Sequence, residues 1–339
     1  MQPLLRLVIV ASAVFTLVQC SDAQKYVVTD LGGAPLGCYP MAVNNVGEAA
    51  GYCEDASYGT HAIFWSRSGQ MEEIGFPLLQ AKALAINDSG YVVGYTGGFG
   101  PYLQPFIWKQ GLSMQSLGSL GGPGDGGATG INELGQVVGY SYAVNNVLVT
   151  FLWENGHMRN IGVPGVGVAI NRLGDVTGFW DMIDLGFEQA FLWSEAQGIR
   201  GLGFLVKGTK PYSFGVALNN VGEVVGCAST DYLERAFIWS EADGMRDLGT
   251  LQTGGNTSCA LGINDAGEVV GSSGNTTVRP FLWTRSAGMQ DLNSLIPPNS
   301  GWVLGSANAI NAAGQIVGEG GLNGHGRAFL LTPQASERK

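Results

Sequence analysis

The stretch Cys259-Ala260-Leu261-Gly262-Ile263-Asn264-Asp265-Ala266-Gly267-Glu268-Val269-Val270-Gly271 decides the fold. Small and aliphatic residues lead into Asn264-Asp265-Ala266-Gly267, and aliphatics follow. An Asn at the first turn position bonds backbone further on, and a Gly at the fourth accepts a left-handed conformation. The phrase therefore reads strand, tight turn, strand. Its Asn recurs as Asn44, Asn87, Asn132, Asn171, Asn219, Asn264 and Asn311, at steps of 43, 45, 39, 48, 45 and 47 residues. A period of about 40–50 residues marks a repeat architecture.

Downstream of each phrase the chain carries an aromatic strand. Phe281-Leu282-Trp283 recurs as Phe106-Ile107-Trp108, Phe151-Leu152-Trp153, Phe191-Leu192-Trp193 and Phe237-Ile238-Trp239, with Ile63-Phe64-Trp65 and Phe329-Leu330-Leu331 in the outer copies. A fourth strand ends in pairs such as Leu117-Gly118 and Leu248-Gly249. Four strands per repeat, seven times, predict an all-β, seven-bladed β-propeller of four-stranded antiparallel blades. The segment Tyr26-Val27-Val28-Thr29-Asp30-Leu31-Gly32 reads as a fourth strand without its first three, and the last repeat stops after its third strand. The N-terminal strand is thus expected to complete the last blade and remove two open edges. A β-solenoid is the alternative, but it needs no complementary ends.

The motifs Ala-Phe-x-Trp, Asp-Leu-Gly and Ile-Asn-x-x-Gly-x-Val-Val-Gly resemble those of the HAF-repeat family of extracellular repeat proteins, over residues 26–332. The resemblance implies an exported repeat protein and brings no catalytic residues. The first position of the family's His-Ala-Phe triplet holds His61 here, and elsewhere Gln104, Val149, Gln189, Arg235, Arg279 and Arg327.

Residues 1–23 read as a signal peptide. Arg6 precedes the uncharged, mostly apolar Leu7–Val18, too short to span a bilayer, and Ser21-Asp22-Ala23 offers a cleavage site. Lipidation at Cys20 is the less favoured alternative. The domain reading is a propeller over 24–333 and a tail over 334–339. The expected location is secreted or extracytoplasmic. With 54 Gly and only 13% charged residues, short strands and tight turns are favoured over helices. A net charge of −10 repels phosphate backbones, so nucleic acid is excluded as a partner, and no membrane span is expected. The sequence does not address oligomeric state.

Function is expected on the face carrying the long, variable connections. There Tyr39, Phe99, Tyr102, Trp180, Tyr212 and Trp302 are candidates for contact with a sugar or partner, or else plugs between blades. Asp181, Asp184 and Glu188 are candidate catalytic carboxylates of a polysaccharide-acting enzyme. Glu54, Asp55, Asp231 and Glu234 also sit in variable segments. No cofactor is predicted. Calcium through oxygen ligands is an option, although no loop has an EF-hand pattern. His61 and His325 fall in neighbouring repeats and, with Glu54 or Asp55, offer a metal or acid–base site. Arg235, Arg279 and Arg327 occupy equivalent positions, as an anion sector or as ordinary strand-end cations.

Cys38 and Cys53 lie equally far outside Asn44 and Gly47, which places them opposite one another. Cys227 ends a second strand and Cys259 begins the first strand of the next repeat. The expected disulfides are Cys38–Cys53 and Cys227–Cys259, allowed by export. The triplets at Asn87, Asn256 and Asn275 fit N-glycosylation only in a eukaryotic host. These observations favour a secreted protein that binds a glycan, a matrix component or another extracellular protein. A polysaccharide hydrolase or lyase and a structural envelope component are the alternatives.

Overall fold

The computed structural model describes residues 25–57, 59–75, 80–97, 102–182, 187–206, 211–230, 233–251 and 255–334. It is an all-β propeller arrangement. The first strands of successive repeats adjoin one another around a central channel, from Gly37–Val43 through to Ala309–Ile310 and back. The sheets extend outward from them in antiparallel order.

Five blades have the four-stranded form, namely four separate sheets and one sheet made from both ends of the described chain. In the latter, Tyr26–Gly32 pairs with His325–Pro333, from Tyr26 opposite Pro333 to Gly32 opposite Ala328. The expected closure by the N-terminal strand is therefore present. A count of seven separate four-stranded blades is not. The third and fourth repeats share one seven-stranded sheet, because His157–Ile170 is a single 14-residue strand that pairs first with Leu148–Glu154 and then with Val176–Met182. The cause is in the spacing. The step from Asn132 to Asn171 is the shortest in the chain, and no long connection separates these two repeats.

Each Asn turn is closed the same way. In the fifth repeat the Asn219 side-chain oxygen accepts the backbone N–H groups of Val221 and Glu223. Its amide donates to Glu223 Oε2 and to the backbone carbonyl of Asn264 in the next repeat. The corresponding cross-repeat bond runs from every Asn to the next, at 2.8–3.2 Å, and from Asn311 back to Asn44. These buried amides form a closed ring, and sequence reading assigned the Asn only its local turn role.

The Gly that ends each phrase has a separate cause. The first hairpins carry a β-bulge a few residues before the Asn. The bulge drives a carbonyl against the second strand. A Cβ on Gly226 would lie 1.9 Å from the Phe214 carbonyl oxygen, and one on Gly51 would lie 2.1 Å from that of Tyr39. Only Gly fits there.

The bulge also explains how the Cys38–Cys53 expectation succeeds. Asn44 N–H bonds the Glu48 carbonyl, so the turn is one residue longer than the Asn44–Gly47 symmetry assumes. The bulge at Met41 shifts the register back by one, and Cys38 faces Cys53. The disulfide is present, with the Cα atoms 4.0 Å apart.

The core lies between the sheets. Phe106, Phe151, Phe191, Phe237, Phe281 and Phe329 are fully buried, as are Ala62, Ala190, Ala236 and Ala328 before the aromatic strand's core residue. The Ala-Phe motif thus fills the space between neighbouring sheets. The residue one step further back, before Ala62, Pro280 and Ala328, pairs with the acid of the fourth strand: His61 with Glu73, Arg279 with Asp291, and Arg327 with Asp30. The last of these ties the N-terminal strand to the final repeat.

Candidate functional site

Five residues before the Asn, the first strand of five repeats presents a half-buried side chain between buried neighbours, at Tyr39, Lys82, Val166, Phe214 and Cys259, while the third repeat has Gly127 there. Tyr39 is half-buried between buried Cys38 and Pro40, and Lys82 between buried Ala81 and Ala83. Alternation along a strand therefore points Tyr39 and Lys82 into the channel. Opposite each stands the residue eight after the Asn: Tyr39 faces Tyr52, Lys82 faces Tyr95, Gly127 faces Tyr140, and Val166 faces Phe179. Phe214 faces Cys227, and Cys259 faces Ser272.

These positions join into a belt across the repeats. Tyr39 stacks on Tyr52 with centroids 5.0 Å apart, and the Lys82 ammonium sits 3.9 Å above the Tyr52 ring. Phe179 meets Phe214 edge-on at 4.9 Å. Cys227 and Cys259 are disulfide-bonded, as expected, and link the fifth and sixth repeats. Ser272 and Ser306 hydroxyls lie 3.2 Å apart, and the Asn308 amide donates to the Pro40 carbonyl and to Glu319. One arc of the belt is aromatic and the other is small and polar.

Burial holds the phenols of Tyr39, Tyr52, Tyr95 and Tyr140 above the usual tyrosine range, and neighbouring carboxylates and phenols add to the effect. They are neutral hydrogen-bond donors on half-buried rings. Burial likewise raises Glu319, against the bonds from Asn308 and Ser306. The arc can stack a flat or ring-shaped group and bond its hydroxyls.

Among the loop aromatics singled out from sequence, Tyr39 belongs to this belt. Tyr212 adjoins it, 5.4 Å from Phe214, with its hydroxyl 3.4 Å from Glu234. Trp180 and Trp302 pack against core clusters, and Trp302 meets Phe329 edge-on, as plugs would. Tyr102 is exposed, and Phe99 lies outside the described residues. Sequence reading missed Tyr52 and Tyr140, which lie on strands outside the variable segments, and did not single out Tyr95, Phe179 and Phe214 within them. Their signal was the fixed offset from the Asn.

Asp181 and Glu188 are register partners across adjacent strands, while Asp184 and Asp231 lie outside the described residues. His61 does not meet His325. Its Nε2 bonds Asp55 at 3.0 Å and its Nδ1 bonds Glu73 at 2.8 Å, so both ring nitrogens are occupied within its own repeat. His325 pairs with Leu322 at an exposed hairpin end. The bond to Asp55, then that to Glu73, raises the His61 pKa above its ordinary value, and His61 lowers that of Asp55. The anion sector is not formed as a unit, since Arg279 and Arg327 are consumed by ion pairs. Arg235 differs, as its buried Nε has no partner. The metal-capable group among the described residues is Cys227, Cys259 and Glu234, with ligand atoms within 4.8 Å, and its sulfurs are joined to each other. Asn87 is 2% exposed and its amide is bonded, so it leaves no room for a glycan.

The other end of the channel opens at the Asn turns as a cavity of about 460 Å³. Ile86, Ile131 and their equivalents form its floor, and the Asn residues with their successors form its wall. A second set of bonds runs around this wall. Asn45 N–H donates to Asp88, Asp88 N–H to Glu133, Arg172 N–H to Asn220, Asn220 N–H to Asp265, and Ala312 N–H to Asn45. It is interrupted where Arg172 and Ala312 offer no side-chain acceptor.

No family model matches this sequence, and no curated protein is similar to it in sequence. Solved structures do share the fold. An oligogalacturonate lyase from Vibrio parahaemolyticus superposes with TM-score 0.55 at 10% identity, over 90% of this chain and 93% of that one. A puromycin-hydrolyzing peptidase from Mycobacterium tuberculosis gives 0.56 at 9% identity, over 89% of this chain, which spans half of that protein. The β-propeller domain of the Trilobed protease from Pyrococcus furiosus gives 0.50 at 10% identity, over 74% and 79%. At these identities the likeness shows the fold alone, a β-propeller scaffold.

Proposed function

We propose that this chain is a secreted β-propeller binding protein of the HAF-repeat type, which takes a glycan, a matrix component or a protein partner at the variable-loop end of its channel. On this reading the two halves of the seven-stranded sheet act as two blades, and the propeller is sevenfold. Residues 1–23 direct export, in keeping with two disulfides, which belong to an oxidising compartment. No helix among the described residues is long and apolar enough to cross a membrane.

The observation that carries the reading is the aromatic arc of Tyr39, Tyr52, Tyr95, Tyr140, Phe179 and Phe214. These rings are half-buried and line a channel. Ring faces with neutral hydroxyls beside them suit sugar rings and the apolar anchors of a protein. The test is a glycan array and a pull-down with the mature chain beside a Tyr52→Ala/Tyr95→Ala variant. Saturable binding that the variant loses supports the reading. Blank screens with a folded sample overturn it, and a product released from a polysaccharide panel would replace it with an enzyme.

A further inference from the structure

We propose that the opposite face, built from the Asn turns, docks a cationic and partly apolar segment of a partner protein, with a basic side chain seated in the central cavity. The first observation is the rim. At the third turn position, just outside the cavity lining, Leu134 and Leu173 are each 70% exposed, Val221 68% and Val46 45%. Ala266 and Ala313 continue the arc, and both are exposed. Tight turns ordinarily carry polar residues there. Leu134, Leu173 and Val221 on three successive turn tips, with Val46 beyond the polar Ser89, make an apolar arc, and such patches mark interaction surfaces.

The second observation is the charge inside the rim. The cavity wall carries Asp88, Glu133 and Asp265 against one guanidinium, Arg172. Asp88 and Asp265 are held by the backbone N–H and side-chain amide of Asn45 and Asn220, and Glu133 by the Asp88 N–H. These donors fix the carboxylates without neutralising them, and no cationic side chain pairs with any of the three among the described residues. Fixed carboxylates inside an apolar rim give the centre of this face a charge complement for a cation. The sign selects the occupant. A second copy would bring two acidic mouths together, and nucleic acid or anionic lipid would be repelled. A Lys- or Arg-bearing segment flanked by aliphatics satisfies both features.

The test titrates the mature chain into a fluorescein-labelled probe peptide of mixed Lys and Leu, with a Glu/Leu peptide as control, at low and high salt. The account expects saturable binding of the Lys/Leu peptide that weakens with salt. It expects binding weaker by about tenfold in Leu134→Ser/Leu173→Ser/Val221→Ser, and again in Asp88→Asn/Asp265→Asn. The rim residues are exposed, so the first variant keeps the fold, checked by its unchanged Tm. The belt variant Tyr52→Ala/Tyr95→Ala should bind the peptide as the parent does, which separates this face from the site proposed above. Equal affinity of the rim variant, equal affinity for the Glu/Leu peptide, or no saturable binding overturns the proposal. Concentration-dependent self-association that the rim variant abolishes would assign the face to a second copy instead.

Discussion

Asn219 shows how much one residue carries in this chain. Its oxygen closes the turn and its amide reaches the next repeat, in a site 3% exposed. Asn219→Ala leaves a buried carbonyl and two N–H groups without that partner, and should lower stability by about 2–3 kcal/mol in chemical denaturation. A loss below about 0.5 kcal/mol would show that the ring is incidental. Gly226→Ala meets the Phe214 carbonyl directly and should cost about 3 kcal/mol or prevent folding, whereas Gly326→Ala, with open space around its Cβ, should be nearly neutral. His61 gives a pH signature. Its raised pKa means its bonds to Asp55 and Glu73 stabilise the fold below the unfolded-state value and are lost as pH rises through the folded one. The lowered pKa of Asp55 acts above its unfolded-state value and is lost as pH falls through the folded one. The contribution is therefore greatest between the two, in mildly acidic solution. An NMR titration should place the His61 midpoint above 6.5, and Asp55→Asn should bring it down. No change on that substitution would contradict the assignment. The turn-forming roles of Asn and Gly were legible in sequence because they are local. The cross-repeat amide bond and the bulge contact were not, because both depend on what a distant segment brings into range.

Strand identities were readable from the motifs, since each strand is short and bounded by its own turn. The exception is His157–Ile170, where period alone predicted a break and the chain runs on. Only the shortness of the 39-residue step hinted at it. The complementary ends predicted the pairing of Tyr26–Gly32 with His325–Pro333, and that pairing closes the ring. Removing residues 25–32 should expose the edge of His325–Pro333 and produce a lower Tm and aggregation. A monomeric deletion variant of unchanged Tm would show that closure is dispensable. The Cys227–Cys259 bridge joins neighbouring repeats across a separation of 32 residues. Replacing both with Ser should lower stability by about 2–4 kcal/mol, measured against the parent under non-reducing conditions.

At the scale of the molecule, the repeat places a different side chain at the same two channel positions in each copy. A fixed backbone thereby yields an aromatic arc facing a small polar one. Sequence reading sought function at the variable-loop end and singled out Tyr39 and Tyr212, but not Tyr52, Tyr95 and Tyr140, whose common feature is their fixed offset from the Asn. At the candidate metal and anion groupings, local acids engage His61, Arg279 and Arg327. The account's central claim is that the belt is a binding surface. The most direct measurement is calorimetric titration of the mature chain with the strongest hit from a glycan and extracellular-protein screen, beside Tyr52→Ala/Tyr95→Ala. The account predicts saturable binding that the variant loses while its Tm stays close to that of the parent. Binding that survives in the variant, or a folded parent that binds nothing in the screen, would contradict it.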